Sequence, residues 1–374
     1  MTFRKTLTAV VLAGCALLLA ACGQPSGESG GGADERTFQW KMVTTWPKNY
    51  PGLGTGAEFF ASEVARMSNN RLRIRVYGAG EMVPAMEVFD TVSQGTAEVG
   101  HSASYYWRGK LPVADLFTST PFVLNAQQMN AWFHYGGGLE LWREAYEPFN
   151  LVPFAVGNTG VQMAGWFNRE INSLADLRGL KMRIPGLGGE VLARLGVETI
   201  NIPGGELYTA MQTGVIEAVE WVGPYTDQAF GMHQVAKYLY YPGWQEPGAG
   251  TEIIVNKTAL EQLPADLQAI VEVAARATNQ RILDEFTARN ATSLRDLVEN
   301  HGIELRRLPD DVLIELRKTS DATLDDLVAR DPLARRVLES QRAFHDSALP
   351  YYEVTEAAMY EATLLTNRAV ADED

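Results

Sequence analysis

Period-two and period-3.6 patterns alternate through the first two thirds of the chain, and from residue 257 onward the pattern turns almost wholly helical. Such alternation commits a chain to an α/β architecture, because each strand has to bury a face against the helix beside it. FQWKMVTTW (38–46) reads as a strand and leads into a helix near 55–69 with Phe60, Val64 and Met67 on one face. RLRIRVYG (71–78) sets Leu72, Ile74 and Val76 on one side and three arginines on the other, as a half-exposed strand does. SLADLRGLKMRIPG (173–186) gives a cap at Ser173, a short helix, a stop at Gly179 and a strand through Met182 and Ile184. GGEVLARLGVETINIPG (188–204) repeats that plan with its stop at Gly196. VSQGTAEVGHS (92–102) can be laid on MQTGVIEAVEW (211–221), with Gly95 on Gly214, Glu98 on Glu217 and His101 on Glu220. Two lobes of similar plan would each end a strand at a shared crevice, where ligands of open α/β sheets bind.

In the helical third, Pro264 and Asp266 open a periodic run that continues to about Asn300. At about 1.5 Å per residue it reaches roughly 50 Å, enough to lie across both lobes. IELRRL (303–308) reads as a short strand between helices. The last helix, roughly 335–367, carries Phe344, Leu349, Tyr351, Tyr352, Met359, Tyr360, Leu364 and Leu365. A helix this apolar either folds back on its own core or buries against a second copy, and the expectation here is a homodimer through it.

The N-terminus, MTFRKTLTAVVLAGCALLLAAC, places Arg4 and Lys5 before an apolar run that closes on small residues, the pattern of an export signal over 1–21. The run is too short for the roughly 20 residues of a spanning helix. Leu19-Ala20-Ala21-Cys22 resembles the lipobox of bacterial lipoproteins, in which the cysteine is lipidated, and QPSGESGGGADER (24–36) suits a flexible tether. Processing before Cys22 would remove Cys15 and leave no cysteine to pair, which excludes a disulfide framework. It would also leave 30 basic against 46 acidic residues, a charge of −16, so nucleic acid and anionic lipid surfaces are excluded as partners.

Catalytic signatures are absent. There is no GxxxxGK[ST] loop, no GxGxxG fingerprint and no HExxH, the five histidines are scattered, and GHSAS (100–104) lacks the final glycine of a nucleophile elbow. What stands out instead is a shared grammar of strands closing on polar residues in NTGVQMAGWF (158–167), GLKMRIPG (179–186) and AVEWVGPY (218–225). In the first, Gln162 alternates with Val161 and Met163; in the second, Arg183 sits between Met182 and Ile184. A guanidinium flanked by apolar neighbours suits bidentate capture of a carboxylate, with a structural ion pair to Glu190 as the plain alternative.

GNTGVQMAGWF, DLRGLKMRIPG and AVEWVGPYTDQAFGMHQVAKYLYYPGWQEPG together resemble the solute-binding proteins of tripartite ATP-independent periplasmic (TRAP) transporters, in the branch that receives 2-oxoacids such as pyruvate. GHSASYYWRGK (100–110) and NAWFHYGGGLELW (130–142) extend the likeness, which covers most of the chain from Phe38. The resemblance implies a two-lobed α/β receptor of the periplasmic-binding-protein type, bridged by a long helix and closing on its ligand before delivering it to a membrane permease. It implies that Arg183 clamps the substrate carboxylate. It also implies that a cation beside the substrate is held by Gln162, Glu220 and the backbone carbonyl of Trp221. Arg183 and Glu220 cancel, so a monoanion entering with Na⁺ keeps the buried charge at zero, whereas Ca²⁺ leaves +1. Sodium is the expected ion and calcium the alternative. Glu246 and Asn158 are expected to hydrogen-bond the ligand and Tyr105, Tyr106 and Trp107 to wall it, while Gln245 stands where a bulkier apolar residue is expected. The expected layout is lobe I from 37–160 plus 252–290, lobe II from 161–251 plus 291–334, and a C-terminal helix over 335–374. The alternatives are a calcium-dependent receptor for a 2-hydroxyacid such as lactate, or, from another class, an exported enzyme acting on small carboxylates.

Overall fold

The computed structural model describes residues 36–371; the signal over 1–21, Cys22 and most of its tether lie outside the described residues. Strands β1 (Phe38–Thr44), β2 (Leu72–Tyr77), β3 (Val99–Ser102), β4 (Leu151–Asn158) and β10 (Gly250–Asn256) form one sheet, in the order β2-β1-β3-β10-β4. Strands β5 (Gly165–Phe167), β6 (Lys181–Arg183), β7 (Glu198–Ile200), β8 (Ala218–Val219), β9 (Tyr238–Tyr241) and β11 (Glu304–Arg307) form the other, in the order β11-β9-β5-β8-β6-β7. Both sheets are mixed. In the first, β1 runs parallel to β2 and β3, while β10 is antiparallel to β3 and β4. In the second, β6 is parallel to β7 and β8, β9 to β11, and β5 is antiparallel to β8 and β9. This is the two-lobed fold of periplasmic binding proteins. The chain passes between the sheets after β4, after β9 and after β10, and the first two crossings carry Gln162 and Glu246.

The local patterns explain these elements. Leu72 and Val76 of β2 are buried while Arg73 and Arg75 point to solvent, and α1 (Leu53–Met67) buries Phe60 and Val64 with Leu53 and Ala57. Gly95 and Gly214, matched in the internal echo, both adopt left-handed φ (75° and 74°), the conformation that ends a helix and turns the chain into the next strand. Helix α2 (Ala265–His301) runs for 37 residues, about 55 Å at 1.5 Å per residue, and packs on β4, α1 and the helix Pro224–Ala229. It therefore touches elements of both sheets. Its closest approaches need glycine: a Cβ on Gly56 would stand 2.5 Å from Ile282 Cδ1, and one on Gly157 2.9 Å from the same atom.

The C-terminus departs from the expected single helix over 335–367. Helix α3 (Asp310–Arg330) is followed by α4 (Pro332–Tyr352), a π turn over Glu353–Ala357 and a last helix over Ala358–Ala371. Pro350 withdraws an N–H from α4, and the widened turn follows three residues later. The first half of α4 buries Ala334, Val337, Leu338 and Gln341, but Tyr351 (74% exposed), Met359, Tyr360, Leu364 and Leu365 (70%) lie open to solvent. The last helix does not fold back on the core.

Glu252 of β10 is fully buried beneath the first sheet, accepting a hydrogen bond from Trp107 Nε1 at 2.7 Å. Burial pushes its pKa up to about 8, against the pull of hydrogen bonds from Trp107 and Tyr146. A folded-state pKa above the unfolded one means that folding takes up a proton. The stabilisation is full below the ordinary carboxyl range and is lost as pH rises through about 8. Thermal melts should therefore show Glu252→Gln gaining several degrees relative to wild type between about pH 5 and about pH 9. A difference that does not change with pH would mean that Glu252 is ionised in the folded protein across that range.

Candidate functional site

The two crossings lie side by side. Thr159 N–H donates to Ala249 O at 3.0 Å and Gln162 N–H to Glu246 O at 3.1 Å. The Asn158 side chain ties them further, donating from Nδ2 to Gly248 O (3.0 Å) and accepting from Gly160 N–H (2.9 Å). Gln162 does not alternate along a strand as its neighbours suggest. Gly160, with φ 72°, breaks the extended run, Val161 is exposed, and Gln162 turns inward. Its Nε2 donates to Thr159 Oγ1 at 3.1 Å, so Oε1 is the end left unpartnered inside the protein.

Arg183 closes β6 and is fully buried. Its guanidinium donates to Glu220 O (2.6 Å), Ile202 O (3.3 Å), Tyr106 Oη (3.3 Å) and Asn201 Oδ1 (3.4 Å), and lies over the Trp221 ring, 5.0 Å from the centroid. Glu190 is not its partner: that carboxylate is taken by Arg108 and Arg194. Arg183 is thus oriented by backbone carbonyls and hydroxyls more than by an ion pair. Its nearest carboxylate oxygen, Glu220 Oε2, is 3.6 Å away.

Glu220 follows β8 directly, and the loop behind it is fixed by a second buried acid. Asp227 Oδ1 accepts from Gly223 N–H (2.9 Å) and Val222 N–H (3.3 Å), and its Oδ2 from Trp166 Nε1 (2.7 Å). Trp221 Nε1 is anchored on Tyr50 Oη at 3.0 Å. Both oxygens of Glu220 lack a hydrogen-bond donor. Burial first, and then the neighbouring Glu246 carboxyl, push Glu220 well above the usual range, against the pull of Arg183. Burial likewise raises Glu246 to about 8, which keeps it neutral at pH 7.

Gln162 Oε1, Glu220 Oε1 and Oε2, Gln245 Oε1 and Glu246 Oε2 are all buried without a donor. Orphaned acceptors of this kind are costly unless something positive meets them. An all-oxygen set of amide and carboxyl groups fits a hard cation. Among the described residues no group of three or more His, Cys, Asp or Glu is placed to hold a metal, so a cation here would draw on amide oxygens as well as Glu220.

Tyr105 and Tyr106 cover the site, their rings edge to face at 4.6 Å, and a small cavity is lined by both together with Trp46, Gln162, Trp221 and Val222. Trp107, expected as a wall residue, turns away into the core beneath the first sheet, where it meets Glu252. His101 is not a second cleft acid's counterpart. Its Nδ1 accepts from Trp46 Nε1 at 3.1 Å, and burial lowers its pKa to about 3. Trp46 stands between His101 and Trp221, its ring 6.0 Å from the first and 6.1 Å from the second. Beside the tyrosines, Arg108 reaches from the first-sheet side to Asp115 (3.0 Å), to Gly186 O (3.2 Å) and to Glu190 of the helix that follows β6. That contact joins the segment after the tyrosines to the helix after β6.

Sequence reading did not find Asp227 or Thr159. Asp227 had a legible signal, since an acid four residues after Gly223 at a helix start is a common acceptor for loop N–H groups. Thr159 had none, because its place beside Gln162 depends on the two crossings lying together.

A family described as bacterial extracellular solute-binding protein, family 7 (DctP), matches residues 42–331. The chain is 41% identical over 355 residues to a monocarboxylate 2-oxoacid-binding periplasmic protein from Nostoc sp., covering 94% of this chain and 96% of that one. Among solved structures, a TRAP periplasmic solute-binding protein from Pseudoalteromonas atlantica with bound sodium and pyruvate aligns at TM-score 0.85 and 40% identity, over 87% of this chain and 99% of that one. A TRAP solute-binding protein from Bordetella bronchiseptica aligns at TM-score 0.87 and 38% identity, over 91% and 100%. That protein is a mixed-occupancy dimer, with copurified calcium and picolinate in one active site and the other site apo.

Proposed function

We propose, starting from the fact that the chain belongs to family 7 of the bacterial extracellular solute-binding proteins, that its cleft receives a 2-oxomonocarboxylate, pyruvate or a longer homologue, together with Na⁺. The family is one of periplasmic transport receptors and not of enzymes, and the chain's role is to hand its ligand to the membrane subunits of a TRAP transporter. The observation that carries this reading is the set of donorless buried oxygens of Gln162 and Glu220, the latter 3.6 Å from a fully buried Arg183.

In this reading Arg183 clamps the carboxylate, keeping its backbone-held orientation. Gln162 Oε1, Glu220 and the Trp221 carbonyl hold the cation, whose shell is completed by the carboxylate and 2-oxo oxygens of the ligand. With Glu246 neutral and Glu220 giving up its proton as the cation enters, Arg183, Glu220, Na⁺ and the monoanion sum to zero, which avoids a lone buried charge. Calcium, the ion beside picolinate in the Bordetella protein, leaves +1 and is the second choice. Tyr105 and Tyr106 wall the ligand, and Glu246 and Asn158 hydrogen-bond it, Asn158 while also tying the two crossings together. Lobe I (37–160 plus 252–290) and lobe II (161–251 plus 291–334) would close by bending at those crossings, with Arg108 fastening the closed form. By calorimetry, the mature protein should bind pyruvate or a longer 2-oxoacid, Arg183→Ala should lose binding altogether, and Glu220→Gln should retain weak binding with altered ion dependence. Undiminished affinity in Arg183→Ala would remove the clamp.

Two further features belong to the same reading. The exposed apolar face of the last helix fits a second copy of this chain, and the dimeric Bordetella relative supports that occupant. Replacing both Leu364 and Leu365 by Asp should convert a dimer to a monomer in sedimentation with ligand affinity unchanged; a wild-type monomer would refute the dimer. Cys22 is proposed as the lipidated residue that tethers the receptor to the membrane. Labelled palmitate should enter the wild type and not Cys22→Ala, and no incorporation into the wild type would leave a freely diffusing periplasmic protein.

A further inference from the structure

Tyr50 lies in the loop between β1 and α1, on the first-sheet side, yet its hydroxyl is engaged wholly by residues of the second-sheet side. The residue is buried. Its Oη accepts from Trp221 Nε1 at 3.0 Å and donates to Thr226 O at 2.6 Å, because an indole N–H can only donate and a carbonyl can only accept. The Tyr50 ring stacks on Phe230, with centroids 4.2 Å apart and planes 22° from parallel, and Phe230 in turn meets the Trp221 ring at 5.2 Å. Gly204 closes in on the same indole: a Cβ there would stand 2.5 Å from Trp221 Cη2. The peptide that follows Trp221 is held as well. Val222 N–H, which shares a plane with the Trp221 carbonyl, donates to Asp227 Oδ1 at 3.3 Å, and Asp227 is the residue after Thr226. Tyr50 therefore grips both the side chain of Trp221 and the turn that sets the direction of its carbonyl.

Groups on different lobes that share one hydroxyl part when the lobes open, and each then returns to water at little loss. Made in the closed form, the same bonds favour closure. We infer that Tyr50 is a positioning residue of this receptor, holding the Trp221 carbonyl at the cation and thereby making lobe closure and occupancy of the site depend on each other. The inference rests on the cation and closure readings above. Tyr50 is not among the residues lining the cavity, so it acts through Trp221 and not on the ligand. The hydroxyl is what the task requires. A phenylalanine would keep the stack on Phe230 but leave Trp221 Nε1 and Thr226 O buried without that partner in the closed form. The loss falls on the form that holds the ligand, and so speeds release more than it slows capture.

The test compares wild type with Tyr50→Phe in the mature protein. Pyruvate affinity is read by calorimetry in saturating Na⁺, and release by stopped-flow fluorescence of Trp46 and Trp221, which line the cavity. Tyr50→Phe should weaken pyruvate by roughly tenfold, the effect of leaving buried partners unmet, with most of the change in faster release. The Na⁺ concentration for half-maximal binding at fixed pyruvate should rise with it. In a double-mutant cycle, Trp221→Phe, which lacks the indole N–H, should weaken binding less in the Tyr50→Phe background than alone. Phe230→Leu, which removes the stack and leaves the hydroxyl, serves if Tyr50→Phe does not fold, and should also speed release. A lowered melting temperature with wild-type affinity and release, in whichever variant folds, would make Tyr50 an ordinary core residue and overturn the inference while leaving the cation reading intact. Additive effects in the cycle would overturn the link to Trp221. Pyruvate binding by wild type with no dependence on Na⁺ or Ca²⁺ would overturn the inference and the cation reading together.

Discussion

Everything in the cleft depends on a guanidinium and a carboxyl group that are both fully buried and yet do not satisfy each other. Arg183 and Glu220 approach to 3.6 Å, but the guanidinium spends its hydrogen bonds on backbone carbonyls, a tyrosine hydroxyl and an asparagine, while the carboxylate has none. Burying two charges without good mutual geometry is unfavourable by several kcal/mol per ion in general estimates. A protein maintains such an arrangement when the rest of the fold over-determines it and a ligand completes it. Here Arg183 is pinned by strand β6, and Glu220 by β8 and the Asp227-braced loop, so neither can swing toward the other. The result is a site preorganised for one negative and one positive guest.

The surrounding fold supports this arrangement from a distance. Two short sheets supply rigid platforms, and the chain crosses between them at the segments that carry Gln162 and Glu246. Asn158 and the paired hydrogen bonds of 159–162 with 246–249 hold those crossings in register. Helix α2 spans both platforms, packed so closely on Gly56 and Gly157 that substitution at either would push it away. Arg108 adds a polar fastening on the opposite side of the cleft, joining the segment after Tyr105 and Tyr106 to the helix after β6.

Much of this was legible in the sequence, for reasons that differ from one element to the next. The period-two pattern at 71–78 and the apolar face of α1 are local properties, and they appear as read. So does the long helix, whose start at Pro264 and stop at Gly302 are written in single residues. The fate of Gln162 was harder, because alternation with Val161 and Met163 mimics a strand and only the left-handed Gly160 reveals a turn. Trp107 was misplaced for a similar reason: three successive aromatics cannot all face one cleft, and what draws the third away is Glu252, distant in sequence. The second half of the C-terminal segment reads as core by composition, yet nothing among the described residues covers it.

The coupling of anion and cation at Arg183 and Glu220 is the central claim, and its most direct test is thermodynamic linkage. Pyruvate affinity would be measured by calorimetry over a range of Na⁺ concentrations below saturation, with choline holding ionic strength constant. One sodium bound with each ligand predicts that the logarithm of the affinity rises against the logarithm of the Na⁺ concentration with a slope of about one. A slope of zero, with full affinity in choline alone, would contradict it.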